Sequence, residues 1–271
     1  MVAIVYIMVG LITALIGSLA GLGGGAILIP TLLFFSTYSA QFAWVTPQTA
    51  VGLSLIMMVF TALASTLSYF KQERVDYKTG LFFLGGSIPG SMFGAWINQF
   101  FKTDHFSLYF GILMIIISLL FFLKRERKEM VQSTSRPIRT FTVNNQVYQY
   151  HVNKPLAISI SFIVGMVSGL FGIGGGSIMV PVMILLFSMP AHVATATSMF
   201  MIFFTSMIGA STHIVLGHIP WAQVLYFLPA AWIGGKLGAQ ISNRLTGKAL
   251  EWVLRMVIIL VGIRLIFDGI S

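Results

Sequence analysis

The groups in this chain best suited to chemistry are backbone amides. Gly23, Gly24 and Gly25 precede a short apolar run that closes on Pro30, and Gly174, Gly175 and Gly176 precede a near copy that closes on Pro181. A helix starting after such a cluster presents free N–H groups and a partial positive charge. Glycine lets a ligand approach that backbone closely, so each cluster is a candidate anion seat. Hydroxyls recur at matched places: Ser177 beside the second cluster, Ser54 at the end of Ala50–Ser54, and Thr197 and Ser198 at the end of Ala194–Ser198. With the Gln48 amide, these are candidates to complete a ring of donors around an anion. The alternative is that the glycines only form tight bends between packed helices.

Charge points the same way. All seven acids fall in loops or at segment ends: Glu73, Asp76, Asp104, Glu126, Glu129, Glu251 and Asp268. Proton- and sodium-coupled pumps commonly place a carboxylate at depth, so cation transport is disfavoured. Lys236 and Arg255, by contrast, sit within apolar segments and would need an anion if buried, unless they snorkel to the headgroups. His213 lies inside the eighth segment and His192 opens it. A histidine there donates to an anion, carries a coupling proton, or bonds a neighbouring helix.

The elements that must position these groups are membrane segments. The chain is 57% hydrophobic and only 8% charged, whereas a soluble domain carries about a quarter charged residues. Apolar segments run over 2–21, 26–36, 49–70, 79–100 and 105–123, then 155–172, 177–188, 193–216, 222–242 and 248–268. A span needs about 20 apolar residues. The segments 26–36 and 177–188 are too short, so each is expected to pair with its predecessor as a hairpin around the glycines, spanning or re-entrant. The start of the chain lacks the basic flank of a secretory signal, so the first segment is expected to be retained.

The fold class expected is therefore all-α: a polytopic membrane protein of two inverted repeats, each of about five segments with a helix broken at the glycines. The first repeat covers 1–123, a cytoplasmic linker 124–154, and the second repeat 155–271. The repeat begins at an offset of 151 residues (Gly21 to Gly172) and continues at 144 (Ser54 to Ser198). Gly90 and Gly94 answer Gly234 and Gly238, small residues four apart that suit close helix packing. Inverted halves put Lys71, Arg74, Lys78, the basic linker, Arg244 and Lys248 on one side and Lys102 on the other. Parallel halves would move Arg244 and Lys248 across, so the positive-inside rule favours inversion. In the linker, Phe141–Tyr150 alternates around Asn144-Asn145, which predicts a small β-hairpin.

Several classes are excluded. Gly21–Ala26 fits a dinucleotide-binding glycine pattern, but it follows a membrane-length helix and no acid appears until Glu73. No nucleophile–base pair, metal cluster or cysteine is present, which argues against an enzyme, and no cofactor is called for. The net charge of +9 is read as membrane orientation rather than nucleic-acid binding.

The doubled G-x-G-G-G-[ST/A]-x-x-x-P cluster, at Gly21–Pro30 and Gly172–Pro181, and the stretches Ala50–Ser54 and Ala194–Ser198 resemble those of the sulfite exporter TauE/SafE family of membrane permeases. The resemblance covers nearly the whole chain. It departs at Leu53, where the second half has Thr197, and at Gly52, where it has Ala196. It implies a multi-pass transporter of the cytoplasmic membrane that exports sulfite or small organosulfur anions.

These readings converge on a secondary transporter of a small oxyanion working by alternating access, with a proton as coupling ion, lipid as its surroundings and homo-oligomerisation left open. The rivals are a passive anion channel and a membrane assembly or signalling partner in which the hairpins only pack.

Overall fold

A computed structural model describes residues 2–100, 103–122, 138–143 and 146–246, with positions 249, 252, 256 and 259 beyond them. Lys102, the Asn144-Asn145 pair, Arg255 and most of the segment expected at 248–268 lie outside the described residues.

The described chain is mostly helical. The first half contains α1 (Val2–Ala20), α2 (Gly25–Tyr38), α3 (Pro47–Lys71), α4 (Tyr77–Asn98) and α5 (Thr103–Phe122). The second contains α6 (Lys154–Phe171), α7 (Gly176–Leu185), α8 (Ala191–Val215) and α9 (Trp221–Arg244). Between them, β1 (Ile138–Val143) and β2 (Gln146–His151) form an antiparallel hairpin with Phe141 opposite Tyr148. The helices α1, α3, α4, α6 and α8 are long and apolar enough to cross a membrane.

Local chemistry sets the boundaries. Thr46 and Thr49 form a reciprocal cap at the start of α3, with Pro47 in its first turn. The Asp76 carboxylate accepts the Thr79 N–H (3.2 Å) and caps α4. Gly21 and Gly172 take left-handed φ values of 73° and 66° where α1 and α6 end, and Gly24 and Gly175 take 102° and 66° where α2 and α7 begin. A side chain at these positions would be strained. The seven additional residues of the first half fall around a short 3₁₀ turn at Ala40–Phe42. There the chain returns to the start of α1. Tyr6 donates to the Gln41 carbonyl (3.3 Å), the Trp44 indole N–H donates to the Tyr6 hydroxyl (3.1 Å), and the Tyr6 and Phe42 rings lie 5.2 Å apart.

The halves interlock. The most extensive contacts join α4 to α6 and α1 to α9, so the outer helices of each half pack on the other half. At the centre α3 lies against α8 and α9, and α4 against α8. Exchanging α1 with α6, α2 with α7, α3 with α8 and α4 with α9 maps these contacts onto one another. α3 and α8 run antiparallel: Gly52, near the start of α3, faces His213 near the end of α8, while Leu55 faces Gly209. Even irregularities repeat at the 144-residue offset. Glu73 and Gly217 both have positive φ, and Arg74 N–H bonds the Tyr69 carbonyl (3.2 Å) as His218 N–H bonds that of His213 (3.0 Å).

Small residues set the spacing in the outer pairs. A Cβ on Gly94 would lie 1.9 Å from the Met166 carbonyl oxygen, and one on Gly238 would lie 2.3 Å from that of Leu15. Backbone approaches backbone, as small residues permit inside a membrane. Gly94→Val is therefore expected to lower the melting temperature of the detergent-solubilised protein by several degrees, corresponding to about 1–3 kcal/mol of overpacking. Gly85→Ala, whose Cβ would meet nothing within 4 Å, is expected to leave it unchanged or raise it. Equal melting temperatures for the two variants would refute this packing.

Candidate functional site

The two glycine loops meet. A Cβ on Gly25 would lie 2.1 Å from the Gly172 carbonyl oxygen, and one on Gly176 would lie 2.1 Å from that of Gly21. The same two oxygens receive the serines of the repeated motif. Ser54 Oγ donates to the Gly172 oxygen (2.8 Å) and Ser198 Oγ to the Gly21 oxygen (2.8 Å), each shared with a carbonyl of its own helix. A hydroxyl has one proton, so both serines are engaged by the opposite half.

The space between the clusters is not vacant. Met58 approaches Gly23, Gly25 and Gly174, and Ile202 approaches Gly23, Gly174 and Gly176. These residues occupy equivalent places, one helical turn beyond Ser54 and Ser198 on the same helix face. An anion held midway between the two helix starts, as the sequence suggested, would have to displace this apolar pair.

Room exists beside the second cluster instead. A cavity large enough for about one water molecule lies against Gly174, Gly175 and Gly176, walled by Ser168, Ser87, Ser198 and Thr205 among apolar side chains. The Ser87 and Ser168 hydroxyls are buried and have no hydrogen-bond partner. The loop leaves its amides open as well. In the first half, Leu22 and Gly23 N–H both donate to the Gly17 carbonyl (2.7 and 3.1 Å). In the second, Gly172 N–H donates to Ser168 (2.8 Å), and the N–H groups of Ile173 and Gly174 enter no hydrogen bond of the loop.

The matching place in the first half is closed. There Ser168 corresponds to Gly17 and Ser87 to Ala231. A Cβ on Gly17 would lie 2.2 Å from the Gly24 nitrogen, so α1 packs directly onto the loop. Two buried hydroxyls beside the glycines at the start of α7 are thus donors without an acceptor among the described residues. Such a set fits an anion.

A model of the sulfite exporter TauE/SafE family matches residues 6–265. The chain belongs to this family. It is 47% identical over 268 residues to a Bacillus subtilis (strain 168) protein named "Probable membrane transporter protein YunE", covering 98% of each chain. A second protein of that organism, "Probable membrane transporter protein YdhB", is 25% identical, over 98% of this chain and 100% of its own. A Methanocaldococcus jannaschii relative, also named a probable membrane transporter protein, is 25% identical over 95% and 92%. No solved structure matches.

In this TauE/SafE family member the other expected site residues lie apart. Thr197 Oγ1 accepts the Asp76 N–H (3.1 Å), at the end of the molecule that carries the hairpin. Gln48 is half-buried in the first turn of α3, at the other end. Ser177 is buried and its hydroxyl has no partner, but it does not line the cavity. Lys236 lies on the exposed face of α9 beside Leu237 and Ile233, because Gly234, Gly235 and Gly238 turn the opposite face toward α1 and α3. From there a lysine reaches the headgroups. His213 is buried near the end of α8. Its Nδ1 lies 3.0 Å from His218 Nδ1, and its Nε2 has no partner.

Ser87, Ser168, Met58 and Ile202 escaped sequence reasoning. Only the position of Met58 and Ile202, four residues after the motif serines, offered a signal. Asp76 also differs from expectation: it lies in a loop yet is fully buried, accepting the Thr79 N–H and the hydroxyls of Thr79 and Tyr150. No group of three or more His, Cys, Asp or Glu that would hold a metal occurs among the described residues.

Two outcomes follow. Ser54→Ala and Ser198→Ala each remove the donor from a buried carbonyl, a loss of about 1–3 kcal/mol. Both are expected to lower the melting temperature of ligand-free protein, and unchanged melting would assign the serines another role. Burial lowers the pKa of His218, in the loop after α8. A lowered folded-state pKa contributes stability above the unfolded value and loses it as pH falls, so stability should drop below about pH 6.5. His218→Asn is expected to shallow that drop; a variant melting profile parallel to wild type from pH 7.5 to 5 would contradict it.

Proposed function

We propose that this protein is a multi-pass transporter of the cell membrane that carries a small oxyanion, sulfite or an organosulfur or carboxylate anion, by alternating access. The cavity at the start of α7 is the observation that carries this reading. The first residues of α7 with their helix-end dipole line it together with two hydroxyls that have no partner among the described residues, and no acid is among the lining residues. A three-oxygen anion offers acceptors to all of them. Sulfite is larger than one water, so loading requires α4 and α6 to draw back from α7.

Alternating access is supported by the interlocked antiparallel halves. With α3 and α8 antiparallel and the outer helices exchanged, the two repeats would lie inverted in the membrane. The α3–α4 loop, the hairpin and the last turns of α9 share one end. Gln72 Nε2 donates to the Ala239 carbonyl (3.4 Å), and Tyr150 donates to Asp76. Because basic residues concentrate in these segments, that end is assigned to the cytoplasm. Export is the direction carried by the family description. A proton remains the coupling ion of choice, with the His213–His218 pair at the opposite end able to hold it.

The test is sulfite binding by purified protein, followed by sulfite flux in proteoliposomes. Ser87→Ala with Ser168→Ala removes two donors, each worth about 1.5–3 kcal/mol to a charged acceptor. The double variant is expected to bind at least about tenfold more weakly while melting near the wild-type temperature. Wild-type affinity in a folded double variant would exclude this seat.

A further inference from the structure

A second group in the protein has no partner of opposite charge among the described residues. Arg74, in the α3–α4 loop, is 4% exposed. No acidic group acts on it among the described residues. Its guanidinium donates one hydrogen bond, from Nη1 to Gln72 Oε1 (3.2 Å), and lies 5.4 Å from the centre of the Tyr69 ring. A guanidinium carries five N–H donors in a flat fork that suits two oxygens of an oxyanion. Asp76, two residues on, is committed to Thr79 and Tyr150.

The surroundings are built from three parts of the chain. The β-hairpin is anchored on both sides: Tyr150 bonds Asp76, and the Tyr148 ring packs on that of His192 (5.3 Å). In the other half the equivalents of Tyr69 and Arg74 are His213 and His218. Both ends of the molecule thus carry nitrogen-bearing side chains at the same place in the fold, but only the hairpin end carries a permanent charge there. A buried charge without a partner is costly and is stabilised by an anion from solvent.

We propose that Arg74, next to the anchored hairpin, binds a small sulfur or phosphorus oxyanion at the hairpin end of the protein. As a capture station it rests on the transport reading, but binding at Arg74 stands or falls separately from the seat at α7. The occupant is a free oxyanion; a lipid phosphate shares the chemistry and is separated by the test.

The experiment is thermal stabilisation of the full chain by sodium sulfite against sodium chloride of equal ionic strength, in detergent free of phospholipid. Ligands that bind the folded state raise its melting temperature. Arg74→Gln is expected to melt at or above the wild-type temperature without sulfite, since it removes an unpaired buried charge, and to need about tenfold more sulfite for the same rise. Arg74→Lys, which keeps charge but loses the fork, should fall between. It also serves as the deciding variant if Arg74→Gln does not fold.

A full sulfite response in Arg74→Gln, or in Arg74→Lys where that is the deciding variant, would overturn the proposal, as would no response in wild type. A response that depends on Arg74 but not on Ser87 and Ser168 would remove the α7 seat and leave this one standing. Repetition in phosphatidylglycerol nanodiscs should preserve the dependence on Arg74. Its disappearance there would assign the site to lipid phosphate and overturn the free-oxyanion reading.

Discussion

Two glycine α-carbons press against two carbonyl oxygens at the centre of this molecule, Gly25 on Gly172 and Gly176 on Gly21. No side chain larger than hydrogen fits there. Such contacts bring weak Cα–H donors to the oxygens, and Ser54 and Ser198 supply strong ones. Non-helical backbone is tolerated at membrane depth only where protein or a water-filled cavity satisfies it. Each half completes the other's loop, so neither loop is satisfied alone. The exchanged outer pairs, α1 with α9 and α4 with α6, follow from the same demand, because the loops meet only if the halves interpenetrate.

A perfect duplicate would have two equal seats and no preference between them. Here the halves differ at a few positions that decide where space remains. Gly17 lets α1 collapse onto the first loop, whereas Ser168 holds α6 off the second and leaves its own hydroxyl facing the gap. Ala231 and Ser87 differ in the same sense. Between the loops, Met58 is flexible and Ile202 is stiff at its branched carbon. The central plug is therefore deformable from one side. Ile202 stands between the space beside α7 and the junction of the halves, with Met58 on the far side of it.

Much of the architecture was legible in the sequence because it depends on local pattern. The mostly helical class, the segment limits and the linker hairpin follow from apolar runs and alternation, and the described helices keep those limits to within about three residues. The site was less legible. Ser54 and Ser198 were expected to face an anion, but they donate to carbonyls of loops more than a hundred residues away, and no local signal reveals which atom a hydroxyl faces. Ser87 and Ser168 look like ordinary small residues of a packing seam, since their neighbours Gly86, Gly90, Gly165 and Gly169 are that. Lys236 misled for the opposite reason. Its charge stood out in an apolar segment, but the glycines beside it determine which face turns inward.

Loop residues hold the two ends of the molecule unequally. At the hairpin end, Asp76 joins three segments: its carboxylate caps α4 and accepts from Tyr150, and its own N–H binds Thr197 of α8. Drawing α8 away from α4 there breaks the Asp76 N–H bond to Thr197, while the carboxylate keeps its bonds to Thr79 and Tyr150, which are of the strong kind. At the far end, the loop after α8 rests on Gly52 through Ile219 and the His218 backbone, and the His213–His218 contact stays within one strand of chain. No hydrogen bond joins that loop to α3 among the described residues, so the contact there is one of packing. Between α8 and the first half, the hairpin end is thus joined by the Asp76–Thr197 hydrogen bond, and the far end by the close packing of the loop after α8 on Gly52.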